Sequence, residues 1–377
     1  MLLVKLAAFL LSAAPTLPRK ARNVLIVLIA VLGAISAIGS VDAASLPLLD
    51  GSLYYRIGGH GFAVLLLSGG PGRSGDYLDP VFDHLTISHR VILPDQRGTG
   101  RSRLRALGTD SVTVRKTVAD LETLRVTLGV ENWTIIGHSW GGMLAMAYTT
   151  QHPANVAGLI LVGSGGTSLE FFDRSDIVLR QRQTPTELDS IQAWEKQTCD
   201  PALRERAMLE VKKLRTGAYL FDRRSLAAVN GTLTPQTYSS QTSELILRDL
   251  RRTRYDLRAD LRVAEIGASG KRPALILHGD TDAIGKATEH ELSAAFPASI
   301  HSRKPSLRSL SLDRGTARIL QRTGHVPGRC FAVDAVTIAF AETGQGAVIM
   351  MNAKADIEVV KNIFVEAIGQ QYHWPDP

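Results

Sequence analysis

Five short apolar runs without polar alternation mark the chain, at 62–67, 90–94, 132–136, 158–162 and 274–277. The first three stop at Ser68-Gly69-Gly70, Asp95 and Gly137. Unbroken runs of this length predict strands buried on both faces of a parallel sheet. Between the second and third runs the spacing changes. Val114, Val118, Leu121, Leu124 and Leu128 recur every three or four residues, which predicts an amphipathic helix over 113–128. Strand and helix in alternation predict an α/β fold with right-handed crossovers. The alternation breaks over 167–272, which is charged, Arg-rich and helical in pattern, and resumes at Pro273. A helical lid inserted into one sheet domain fits this better than an independent second domain. The segments are then 1–44 as a leader, 45–166 and 273–340 as the two parts of the core, 167–272 as the lid, and 341–377 as an atypical tail. There is no internal repeat and no low-complexity segment.

Composition narrows the class. The chain has 377 residues, 45% hydrophobic and 21% charged, an ordinary globular balance that excludes collagen, coiled coil and disorder. Arg19, Lys20 and Arg22 precede an apolar run over 24–38, and Val41-Asp42-Ala43-Ala44 follows. That order predicts a secretory signal peptide cut after Ala43 or Ala44, and an exported, periplasmic or secreted protein. The stretch 24–41 is 18 residues long, so an uncleaved membrane anchor is the competing expectation. A second apolar stretch at 2–14 is unusual in front of a signal peptide and reads as a two-part leader or an early start codon. The net charge of +7 has no long basic run behind it, and Lys5, Arg19, Lys20 and Arg22 against Asp42 place three of those charges in the leader. The expectation is solubility, with no nucleic-acid partner. The two cysteines, Cys199 and Cys330, permit one disulfide at most and exclude a four-Cys zinc site. No metal and no cofactor are expected.

The chemistry concentrates at Gly137-His138-Ser139-Trp140-Gly141, a G-x-S-x-G pattern. A buried run precedes it and Met143-Leu144-Ala145-Met146-Ala147 follows as a helix. This is the strand–turn–helix context in which a strained serine is lifted to a helix N-terminus as a nucleophile. His138 is a neighbour on the turn and is not taken as the base. A serine hydroxyl needs a base, and the base an orienting carboxylate. In this architecture the chain order is serine, acid, histidine. Asp282, in His278-Gly279-Asp280-Thr281-Asp282 after the last run, is the expected acid, with Asp280 a close competitor. His325, in Thr323-Gly324-His325-Val326-Pro327, is the expected base. The oxyanion donors are the Trp140 amide and one from Gly69 or Gly70.

Four blocks resemble the α/β-hydrolase superfamily and, within it, the proline iminopeptidase branch. They are Ser68-Gly69-Gly70-Pro71-Gly72, Asp95-Gln96-Arg97-Gly98-Thr99-Gly100-Arg101-Ser102, Gly137-His138-Ser139-Trp140-Gly141-Gly142 and His278-Gly279-Asp280-Thr281-Asp282. The second is the most specific, and in that family it lies beside the active-site entrance. The resemblance runs from about Leu53 to Gly166 and again from Pro273 to about Phe340. It implies an α/β-hydrolase fold, a mostly parallel sheet flanked by helices, with Ser139, Asp282 and His325 as the triad. Three departures stand out. Ser68 occupies the place where the family's oxyanion loop begins with histidine. Asp282 and His325 are 43 positions apart, longer than the family norm. The tail, Gly344 to Asn352 and Tyr372 to Asp376, resembles the end of serine β-lactamase-like hydrolases. The Ser-x-x-Lys that those enzymes need is missing, so the tail brings no second machinery.

Specificity has to come from the lid. An aminopeptidase binds a protonated amine, which needs a carboxylate when desolvated. Gln192-Ala193-Trp194-Glu195 weakly resembles the acidic lid segment of the iminopeptidases. It implies Glu195 on the substrate amine and Trp194 against the proline ring; the alternative is a surface Glu beside a packed Trp. Ser139 argues against the aspartate chemistry of epoxide hydrolases and dehalogenases. His290-Glu291 lacks the second zinc-protease histidine, and no phosphate loop or dinucleotide fingerprint is present. The expected activity is release of N-terminal proline from a small peptide through an acyl-enzyme. Alternatives are an esterase or amidase on an uncharged acyl substrate, and a non-catalytic fusion product in which His325 is misplaced.

Overall fold

The computed structural model describes residues 41–220, 223–264 and 274–278, eight further positions between 282 and 296, and the backbone of three strands at 318–324, 333–340 and 345–351. The apolar runs become strands of one seven-stranded sheet. In chain order these are Asp42–Leu48 (β1), Gly51–Gly58 (β2), Ala63–Leu67 (β3), Arg90–Pro94 (β4), Trp133–His138 (β5), Val156–Val162 (β6) and Ala274–Leu277 (β7). Their spatial order is β1-β2-β4-β3-β5-β6-β7. Strands β3 to β7 pair in parallel, and β1 and β2 form an antiparallel margin. The fold is that of an α/β hydrolase, a mostly parallel sheet between helices.

The unbroken apolar runs follow from burial on both faces. In β3, Leu65 and Leu67 share one core with Val118, Leu121 and Leu124 of Val114–Thr127, and with Met143, Leu144 and Met146 of Trp140–Gln151. Val64 and Leu66 turn to the opposite face, against Phe82 and Leu85 of Asp79–Leu85. These helices are α1 (79–85), α2 (114–127) and α3 (140–151). The hydroxyl of Thr113 opens α2 by accepting from the Lys116 amide at 3.2 Å.

Between β6 and β7 the chain builds Glu170–Gln181 (α4), Pro185–Gln197 (α5), Arg204–Thr216 (α6), Leu226–Gly231 (α7), Ser240–Arg252 (α8) and Arg258–Val263 (α9). Helix α8 fastens this insertion to the core. Ile246 and Leu250 enter the main core, Thr242 donates to the Gly98 carbonyl at 2.6 Å, and Asp249 accepts from the Val114 amide at 2.9 Å.

Three elements depart from the sequence expectation. Strands β1 and β2 have no counterpart among the apolar runs, because β1 alternates partly covered and exposed positions and β2 sets only Leu53, Tyr55 and Ile57 on the main core. Ala43 and Ala44, the expected cleavage site, lie in β1 opposite Arg56 and Tyr55. The third departure concerns the segment after His325. That segment is expected in the second part of the core, but Val333–Phe340 forms a strand (β9), between Arg318–Gly324 (β8) and Gln345–Met351 (β10) in a separate antiparallel sheet. The β-branched residues Val333, Val336, Thr337 and Ile338 favour that outcome. The expected leader up to residue 40 lies outside the described residues, as do Cys330 and Asp280. Among the described residues no helix is long and apolar enough to cross a membrane.

Candidate active site

Ser139 sits between β5 and α3 with φ +54° and ψ −117°, a conformation that non-glycine residues adopt only under constraint. The constraint is close packing of strand against helix. A Cβ on Gly137 would lie 2.4 Å from the Gly141 carbonyl oxygen, and one on Gly141 would lie 2.3 Å from that of Leu67. The two glycines therefore let β5, β3 and α3 converge. The Ser139 amide donates to Val162 at 3.0 Å, tying the turn to β6.

The Asp95–Ser102 block surrounds this turn and holds it. Gln96 donates from Nε2 to the Ser68 carbonyl at 2.7 Å and accepts from the Trp140 indole at 2.8 Å. One amide thus joins the glycine-rich loop to the residue after Ser139. Asp95 accepts from the Gly75 amide at 2.8 Å and from the Arg101 amide at 2.8 Å. Arg97 reaches away from the site. Its guanidinium grips Asp120 on α2 at 2.8 Å and Asp50 at 2.9 Å, partners that sequence alone does not name. Ser68, where the family carries histidine, closes the glycine-rich loop by donating to the Arg73 carbonyl at 3.0 Å.

The two glycines offered as oxyanion donors are not equivalent. The Gly69 amide donates to Tyr77 Oη at 2.6 Å, and the same hydroxyl lies 2.7 Å from His138 Nδ1. Burial, then the charge of Arg73, push the His138 imidazole down to about 4, so the ring is neutral at neutral pH. A neutral ring engaged by Tyr77 is placed to support the loop.

Asp282 stands beyond the end of β7, and its Oδ2 would lie 3.4 Å from a Cβ on Gly163, at the end of β6. This brings it to the same edge of the sheet as Ser139. Burial pushes its carboxyl up, but hydrogen bonds from His278 at 3.3 Å and from the Ile284 amide at 3.0 Å outweigh this and hold it below its usual range. Sequence reasoning missed His278, which lies in the block that flags Asp282. Its Nδ1 faces Asp282 and its Nε2 faces Thr288 at 3.3 Å, so both nitrogens are engaged away from Ser139. His325 lies outside the described residues, immediately after β8.

Glu195 and Trp194 belong to α5. The Glu195 side chain is 48% exposed and pairs with Arg215 of α6 at 2.8 Å, while Arg206 stacks 5.7 Å from the Trp194 ring. Cys199 is exposed and free. Among the described residues no cluster of three metal-binding side chains occurs.

The chain matches the family described as alpha/beta hydrolase fold over residues 63–306, a span that contains Ser139 and Asp282 and ends before His325. Over 113 residues it is 43% identical to a proline iminopeptidase of Xylella fastidiosa, and 39% identical to one of Neisseria meningitidis. Each match covers 29% of this chain and 36% of the relative, so the chain spans well under half the length of the curated relatives it matches. Among solved structures, a proline iminopeptidase-related protein from Thermus thermophilus superposes with a TM-score of 0.52 at 22% identity. That superposition covers 70% of this chain and 88% of the other, a likeness of fold.

Proposed function

We propose that this chain, a member of the alpha/beta hydrolase fold family, is a serine hydrolase that releases N-terminal proline from peptides. The observation that carries the reading is the backbone of Ser139, φ +54° and ψ −117° at a strand-to-helix turn. The identity to proline iminopeptidases over 113 residues supports the substrate class. Ser139 Oγ attacks the prolyl carbonyl while His325 takes its proton and Asp282 orients the imidazole. The developing oxyanion is held by the amides of Trp140 and Gly70, since the Gly69 amide already serves Tyr77. His325 then protonates the leaving amine, and water releases proline from the acyl-enzyme. Glu195 receives the substrate ammonium in place of Arg215, with Trp194 along the ring. The protein is exported by its leader, which N-terminal sequencing of the mature chain tests.

Hydrolysis of a proline arylamide is compared with its N-acetylated form, in wild type and Ser139→Ala. Turnover confined to the free amine and reduced about 1,000-fold or more in the variant supports the reading. Equal turnover of both substrates makes the protein an esterase or amidase without amine recognition.

A second reading is a folded hydrolase core without its base. What favours it is that β8, β9 and β10, which bracket His325, pair in a sheet of their own, and that the family match ends at residue 306. A fluorophosphonate that leaves Ser139 unlabelled in folded protein selects this second reading; labelling that His325→Ala abolishes rejects it.

A further inference from the structure

The charges around Ser139 have an uneven count of partners. Arg73 of the glycine-rich loop pairs with Tyr238 in a backbone bridge, and Leu209, one turn before Lys212 on α6, packs in one cluster with the same tyrosine; Arg215 follows about a turn later. Arg215 is paired with Glu195 at 2.8 Å. Nearby acids are likewise taken. Asp176 holds Arg180 at 2.8 Å, Glu205 accepts from Ser240, and Asp282 faces His278. Arg73 and Lys212 are left without a carboxylate among the described residues. The Arg73 guanidinium lies 3.9 Å from the centre of the Tyr77 ring and donates to Thr232. The Lys212 ammonium lies 5.6 Å from the centre of the Tyr219 ring.

These two cations belong to the site. Tyr77, beneath Arg73, carries the hydroxyl that bridges Gly69 and His138. The charges of Arg73 and Lys212 both act on His138, the residue next to Ser139. Tyr219, beside Lys212, feels Asp282. Tyr219 keeps 40% of its surface open, yet surrounding protein pushes its hydroxyl up to about 12. Burial and the neighbouring charge of Arg73 push Lys212 down to about 8, the mark of a cation lacking its counter-charge.

We propose that Arg73 and Lys212 form an anion-binding subsite between the inserted helices and the core, and that the substrate carries a carboxylate into it. This rests on the acyl-hydrolase reading and refines it: the preferred prolyl substrate is a dipeptide whose free C-terminal carboxylate meets these cations. A neutral arylamide or a peptide amide leaves them unpaired. Two cations, one of them a flexible ammonium beside a phenol ring, suit a small carboxylate approached from two sides.

The test uses the full chain and two paired probes. Calorimetry compares N-acetyl-alanine with N-acetyl-alaninamide, and kinetics compares Pro-Ala with Pro-Ala-amide. The carboxylate is expected to bind about ten-fold more tightly than the amide, with a similar advantage in kcat/KM. Lys212→Met is expected to erase the preference, and Lys212→Arg to retain it, with near-UV circular dichroism reporting the fold of each. Equal binding of acid and amide by wild type overturns the proposal, as does a preference that survives in Lys212→Met. Carboxylate binding without turnover of any prolyl compound keeps the subsite and removes the prolyl reading. Turnover of the arylamide with no carboxylate preference does the reverse.

Discussion

Gln96 carries more of the site's geometry than its side chain suggests. Its amide links the Ser68 carbonyl to the Trp140 indole, so it sets the spacing between the glycine-rich loop and the residue after Ser139. It touches no reacting atom and acts as a positioning residue. Gln96→Leu leaves two buried polar groups unpaired, which costs about 1–3 kcal/mol. For a turned-over arylamide we expect kcat to fall about ten-fold with KM nearly unchanged, because an oxyanion contact matters most in the transition state. Steady-state kinetics checks the split; a change confined to KM counts against the positioning role. Gly137→Ala acts differently. Its new Cβ meets the Gly141 carbonyl oxygen at 2.4 Å, backbone against backbone, with no side chain free to give way. A loss of about 3 kcal/mol in denaturant unfolding is the expected outcome.

At the scale of elements, the lid is held by a few polar bonds added to an apolar contact. Asp249 of α8 accepts from the Val114 amide and from Arg252, so one carboxylate caps the start of α2 and fixes the lid to it. Asp249→Ala leaves that amide unpaired and removes a negative charge from a helix N-terminus. The expected result is a loss of about 1–2 kcal/mol and faster limited proteolysis within 167–263, while the core fragments persist. Cleavage at the wild-type rate would show that Ile246 and Leu250 hold the lid without it. The lid also carries Lys212 and Arg215 on α6, so loosening α8 is expected to weaken substrate discrimination through the α8 to α6 contact made by Arg204 and Glu244.

For the whole molecule, acid sensitivity has an identifiable source. Glu122 on α2 accepts from Arg125 at 2.7 Å and from the Tyr148 hydroxyl of α3 at 2.7 Å. The Arg125 hydrogen bond, set against burial and helped by Tyr148, holds its carboxyl well below the usual 4.5, at about 2. A carboxyl depressed on folding stabilises the native state above its unfolded value and loses that stabilisation as pH falls toward the folded one. The contribution is therefore complete above about 4.5 and gone near 2. Glu122→Gln is expected to be less stable than wild type by about 2 kcal/mol at pH 7, with the gap closing between these limits. Urea unfolding across that range measures it; a gap that does not change with pH excludes the ionised pair as its source.

Local pattern determined much of this protein. The strands β3 to β7 and helix α2 were legible because burial on two faces, or on one stripe, imposes a period on neighbouring residues. The strained turn at Ser139 was legible because close approach of strand and helix demands glycine two positions to either side. Ion-pair choices were not. Arg97 takes Asp120 and Asp50, Glu195 takes Arg215, and Asp282 takes His278. Apart from the last, each joins residues more than 15 positions apart, and a charge carries no periodic mark of its partner. The same limit hid β1 and β2, half-covered strands whose burial depends on what packs across them. It also hid Arg73 and Lys212, which have no carboxylate partner among the described residues, since a counter-charge is supplied or withheld only by what the fold brings near.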